Sequence, residues 1–344
     1  TGQMKQTEAF HNNSIKSLAL DGNGYLLAGT DNGLYVYHND VTPLQHIIHD
    51  SRNIQSLTNN IIWNIFADQE HNIWLGTDYG ISLSRYNSAL QFIPISQITG
   101  TGDGNQFYSL FRDSKGFYWF GGTNGLIRFT DPAGDKHNAI WYRMGDKTYP
   151  LSHNRIRHIY EDKEQQLWIA TDGSINRYDY ATRQFVHYNI VDSTGTYNTN
   201  WTYYMFEDNA GHLWISTCLG GIFVVDKHRL MQSASGQYVA EQNYSVHNGL
   251  SGMFINQIIP DNEGNVWVLL YNNKGIDKIN PRTREVTKLF ADELNGEKSP
   301  NYLLCDEDGM LWVGFHGGVM RINPKDESQQ SISFGSFSNN EILS

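Results

Sequence analysis

Seven side chains, spaced 45 to 53 residues apart, stand five places before a recurring aspartate: Lys16, Trp63, Tyr108, Arg157, Tyr203, Asn256 and Asn301. The next place holds Ser17, Asn64, Ser109, His158, Tyr204, Gln257 and Tyr302, and the place after it only Leu, Ile or Met. Neither polar column contains an acid, although the chain is acidic overall. These residue types suit a sugar. Aromatic rings stack on its C–H faces, and amides or a guanidinium bond its hydroxyls or a carboxylate. The fourth unit gathers His153, Arg155, Arg157 and His158, and the fifth adds Trp201, Tyr203 and Tyr204. A ligand, for which acidity would be suited, is therefore expected at Lys16, Trp63, Tyr108, Arg155, Arg157, His158, Trp201, Tyr203, Tyr204, Asn256 and Asn301. The competing reading is that these side chains pack between units or line a wet channel.

Other chemistry has less support. There is no HExxH, paired His-x-His, CxxC or G-x-S-x-G in the chain, so neither a transition-metal site nor a serine nucleophile elbow is indicated. "DGNG" (21–24) and "DEDG" (306–309) open like acidic loops, but "DQEH" (68–71) and "DKEQ" (162–165) at the same place lack alternating ligands. No catalytic set, metal or cofactor is expected. Cys218 and Cys305 read as two free thiols. A net charge of −11 argues against a broadly basic nucleic-acid surface. No apolar run reaches the length of a membrane span. The opening "TGQMKQTEAFHNNS" lacks the apolar region of a secretion signal. The chain is thus expected to be cytosolic, or a mature or excised segment of something longer.

The elements that must position these residues follow from the repeat. The aspartates are Asp21, Asp68, Asp113, Asp162, Asp208, Asp261 and Asp306. Six residues after each come Leu27, Trp74, Trp119, Trp168, Trp214, Trp267 and Trp312. A constant internal distance with variable spacing between copies describes rigid units joined by adjustable loops. Each unit has an apolar stretch ending at the Asp, a turn, a Trp strand such as "LWIAT" (167–171), a second turn, and two further strand-like segments. Four short strands at a period near 47, with no helical apolar spacing, predict an all-β, seven-bladed β-propeller of four-stranded antiparallel blades. Blades should start near 15, 62, 107, 156, 202, 255 and 300 within a propeller spanning 15–335. Residues 1–14 would be a lead-in or ring-closing strand, and 336–344 the start of a following unit or a linker. The innermost strands should line the axis, with a pocket at its mouth. Trp214 should fill the space between blades. Asn13, Asn60, Asn105, Asn154 and Asn200, eight before the Asp, are expected to shape turns.

The unit "LSHNRIRHIYEDKEQQLWIATDGSINRYDY" (151–180) resembles the two-component regulator propeller repeat, and the resemblance extends over about residues 12–335. Departures are local: Leu27 for Trp, Ser174 for the turn glycine, and the longer "YNNKG" (271–275). The resemblance implies a periplasmic sensor segment of a hybrid two-component histidine kinase of the Bacteroidetes type. Such a segment would bind glycan-derived oligosaccharides and control polysaccharide-utilisation genes. It also implies a homodimer formed through the parent protein, a membrane span only in that parent, and no direct nucleic-acid contact by this segment. Two other functions compete: a propeller enzyme, either a polysaccharide lyase or a glycosidase, and a dimerisation or protein-interaction platform.

Overall fold

Each repeat folds into one twisted antiparallel sheet, and seven such sheets form a ring. The structure is a computed structural model describing residues 13–37, 43–86, 92–94, 105–130, 139–148, 150–233, 237–271 and 275–333. Of the expected lead-in 1–14, only the last two residues are described, and 336–344 lies outside the described residues. The innermost strands are Ile15–Leu20, Ile62–Ala67, Phe107–Arg112, Ile156–Glu161, Thr202–Glu207, Ile255–Pro260 and Pro300–Cys305. Each packs beside the innermost strand of the next blade, and the last packs beside the first. The expected seven-bladed, all-β propeller is therefore observed.

The second strands Leu26–Thr30, Ile73–Thr77 and Leu167–Thr171 are buried along their whole length. A blade inside a ring has neighbours on both faces. Its middle strands therefore carry unbroken apolar runs in place of a strict alternation. Closure of the ring is also apolar. Val319 of blade 7 packs with Ile15, Leu18 and Tyr35 of blade 1. Asn301 Nδ2 donates to Ser14 Oγ at 3.1 Å across the same seam.

The recurring aspartate is the hinge of each blade. In every copy its Oδ1 accepts the backbone N–H four residues on. In the six copies with tryptophan, Oδ2 accepts the indole Nε1–H at 2.7–3.0 Å. One carboxylate thus closes the turn and satisfies the polar atom of the largest core side chain. Each indole faces the next blade: Trp214 packs with Ile255, Val266 and Val268. The turn needs a left-handed residue three after the Asp. Gly116 has φ 87°, and where glycine is missing, His71 (63°) and Gln165 (61°) adopt the same strained region.

Blade 4 departs from the expected four strands. Its outer strand Gln184–Val191 pairs in parallel with Gln237–Val239, contributed by blade 5. Helix α1, Lys227–Gln232, precedes this addition and is capped by Asp226, whose side chain accepts from Arg229 N. Lys227 is fully buried, with Nζ 2.9 Å from Glu207 Oε1 and 3.2 Å from Asp162 Oδ2. The insertion is thereby tied to the hinge aspartate of blade 4.

Candidate ligand-binding site

Every innermost strand is bulged at the same place. Ile15 opposes Thr30 and Ser17 opposes Gly29, so Lys16 is the extra residue. The same shift leaves Trp63, Tyr108, Arg157, Tyr203, Asn256 and Asn301 as extra residues in blades 2 to 7. A bulge re-aims side chains that simple alternation would send to opposite faces. All seven bulge residues line one cavity of about 520 Å³ at the axial mouth, a size typical of small-ligand pockets.

The lining divides into two arcs. Blades 1 to 6 form an aromatic and cationic arc. Lys16 Nζ lies 4.2 Å from the Trp63 ring centroid, and Trp63 meets Tyr108 edge-on at 5.3 Å. The Arg157 guanidinium lies 4.4 Å from the Tyr203 ring. Tyr203 meets Phe254, which stacks on Tyr271 at 4.8 Å. Blades 6, 7 and 1 complete the circle with amides and a hydroxyl, Asn256, Asn301 and Ser14. Burial pushes the phenols of Tyr108 and Tyr203 up and the Lys16 ammonium down, the last partly restored by Asp31 and Asp78.

The two columns carry no acid, but acids from another position stand beside them. Ten residues after the hinge aspartate, where the second strand ends, come Asp31, Asp78 and Asp172. Trp63 Nε1 donates to Asp78 Oδ1 at 3.0 Å, and Gln106 Nε2 donates to the same oxygen at 2.6 Å. Arg157 donates through Nε and Nη2 to Asp172 at 2.8 and 3.3 Å. The guanidinium is held flat and is already charge-paired.

The column one place further on has a second role. Ser17 Oγ accepts from Ile65 N, Ser109 Oγ from Ile159 N, and Gln257 Oε1 from Leu303 N. His158 Nδ1 accepts from Met205 N at 3.4 Å. Each bond ties an innermost strand to the next one. His158 also stacks on Tyr204 at 3.8 Å, and burial pushes its pKa down to about 3. Burial therefore favours the neutral imidazole. Asn64, also in this column, has a buried Oδ1 without a hydrogen-bond partner among the described residues.

Of the expected ligand residues, Lys16, Trp63, Tyr108, Arg157, His158, Tyr203, Tyr204, Asn256 and Asn301 meet at this cavity. Arg155 and Trp201 do not line it. Arg155 is half-exposed, its Nη1 3.7 Å from Asp172. Trp201 lines a smaller cleft of about 220 Å³ with Asn198, Asn200 and Leu219. Both precede the bulge, and Arg155 reaches the rim carboxylate Asp172 without lining the cavity. Sequence reasoning missed Ser14, Pro300 and Tyr271 as lining residues. Tyr271 had a signal, because it occupies the column of Asp31, Asp78 and Asp172 in blade 6. Three of the five recurring asparagines serve loops: Asn60 Oδ1 accepts from His49 N, Asn105 Oδ1 from Asn124 N, and Asn154 Oδ1 from Met144 N.

Fold and mouth together define the class, a seven-bladed β-propeller whose ring opens on a polar and aromatic axial cavity. Residues 56–79, 101–124 and 150–173 match the family described as two component regulator propeller. Two solved structures of the extracellular domain of BT4673 from B. thetaiotaomicron are 95% identical over 100% of this chain, with TM-scores of 0.69 and 0.70. One is assigned to a one component system and the other to a hybrid two component system. The chain spans 46% of the length of those structures. The extracellular domain of BT3049 from the same organism, 23% identical over 92% of this chain and 39% of its own, has a TM-score of 0.73. Virginiamycin B lyase from Staphylococcus aureus, 11% identical over 91% of this chain and 94% of its own, has a TM-score of 0.66. These last two share the fold alone. Among curated proteins none matches. No helix among the described residues is long and apolar enough to cross a membrane.

Proposed function

We propose that this propeller is the ligand-sensing part of a periplasmic receptor, and that its axial mouth binds a glycan-derived oligosaccharide. The observation carrying this reading is the convergence of seven bulge residues, three aromatic, two cationic and two amide, on one cavity of about 520 Å³. Ring faces at the cavity favour sugar C–H surfaces, while Asn256, Asn301 and Asn64 Oδ1, which has no partner among the described residues, suit hydroxyls. Because Arg157 is paired with Asp172 and Lys16 faces Asp31 and Asp78, hydroxyl-rich neutral or weakly acidic sugars fit better than polyanions. In the parent protein, proposed to be a homodimeric membrane histidine kinase, bound sugar would bias the arrangement of subunits and so the expression of polysaccharide-utilisation genes.

Isothermal titration of the domain with oligosaccharides released from plant and host polysaccharides tests the reading. A saturable ligand whose affinity falls at least about tenfold in both Trp63→Ala and Tyr203→Ala supports it, since each ring contributes on the order of 1 kcal/mol or more. A ligand unaffected by both substitutions, or catalytic turnover of it, overturns the reading.

A further inference from the structure

Blade 1 alone carries Leu27 where the other six blades carry tryptophan. The consequence lies at the far end of its innermost strand from Lys16. Between blades 1 and 2 opens a cleft of about 420 Å³, with Leu27, Leu34, Val36 and Ile73 at its base. Asp21, Gln45 and Tyr86 stand at its edge. In every other blade an indole occupies the corresponding space against its neighbour, as Trp74 does against Phe107, Phe120 and Phe129.

The acceptor for that indole is still in place. Asp21 closes its turn as its counterparts do, Oδ1 accepting from Asn23 N and Tyr25 N at 2.9 and 2.8 Å. Its Oδ2, the atom that takes Trp Nε1–H elsewhere, has no hydrogen-bond partner among the described residues. Shape and polarity are thus both retained while the side chain that uses them is missing. A leucine cannot fill an indole's volume, and a ring laid on Leu27 would regain packing lost at the gap.

We propose that the cleft between blades 1 and 2 is a second ligand site, which takes a small planar aromatic molecule bearing a ring N–H. The ring lies on Leu27 and Ile73 and its N–H donates to Asp21 Oδ2. This site is distinct from the axial mouth and independent of whether that mouth binds sugar.

Indole is the probe, followed by ligand-observed NMR and by its effect on the thermal midpoint of the domain. Saturable binding is expected, with 1-methylindole at least about tenfold weaker because it cannot donate to a carboxylate. Leu27→Trp should fill the cleft from within, abolish indole binding and show buried-tryptophan fluorescence. Leu27→Phe fills much of the same space with no donor and should also abolish binding, which keeps the test open if the first variant folds poorly. Absence of saturable binding to the wild-type domain overturns the site. Equal binding by folded Leu27→Trp or Leu27→Phe does the same. Equal affinity for indole and 1-methylindole overturns the role of Asp21.

Discussion

Arg157 and Asp172 lock together at the edge of the mouth, Nε to Oδ1 at 2.8 Å, with the carboxylate only 8% exposed. The pairing holds the guanidinium against Tyr203 and neutralises it. Asp172→Asn should therefore free a positive charge within the cavity. The affinity ratio of uronate-bearing to neutral oligosaccharides is expected to rise about tenfold, as a new charge-assisted bond would give. Calorimetry on matched pairs of ligands reads this ratio, and an unchanged ratio contradicts the assignment.

Asp113 is a hinge that also holds a tyrosine from the next blade. Its Oδ1 accepts from Lys115 N and Phe117 N, and its Oδ2 from Trp119 Nε1 at 2.7 Å and Tyr180 Oη at 2.6 Å. Asp113→Asn turns one acceptor into a donor facing donors. A loss of about 2–4 kcal/mol is expected in urea unfolding. Trp119→Ala should cost about 3–5 kcal/mol through the cavity it leaves. Near-neutral values for both would remove the hinge from the account of stability.

Burial holds His158 neutral, with its pKa lowered from 6.5 to about 3. Between those values the unfolded chain binds a proton that the folded chain refuses. Stability is therefore complete above about pH 6.5 and falls as pH drops toward 3. At pH 5 the loss from this residue is at most about 2 kcal/mol. His158→Gln, which can still accept from Met205 N, should flatten the slope of stability between pH 7 and 5 relative to wild type. Parallel slopes for the two proteins would show that the imidazole is not held neutral.

Gly116 sits at φ 87°, and a Cβ added there would have nothing within 4 Å. Gly116→Ala isolates the backbone cost of the left-handed turn position from any clash. A destabilisation of about 1 kcal/mol is expected. A neutral result would mean that the turn rearranges.

The sequence by itself determined the blade count, the hinge and the strand order. All of these are local: an aspartate, a turn and a tryptophan recur at fixed offsets, and middle strands buried on both faces show as apolar runs. Nine of the eleven residues it singled out line one cavity, because repeat columns become rings once the blades close. The tertiary structure decided the rest. Bulges leave no composition signal, yet they select which strand side chains face the axis, while Arg155 and Trp201, just ahead of their strands, do not line the cavity. Asp172 lies far along the chain from Arg157, so its neutralising effect appears only when the second strand folds back beside the first. The charge of His158 depends on burial against Tyr204 of the next blade. Leu27 reads as a conservative apolar exception in the alignment of repeats. Only packing reveals it as a gap, because a missing ring matters through the space and the unpaired oxygen it leaves behind.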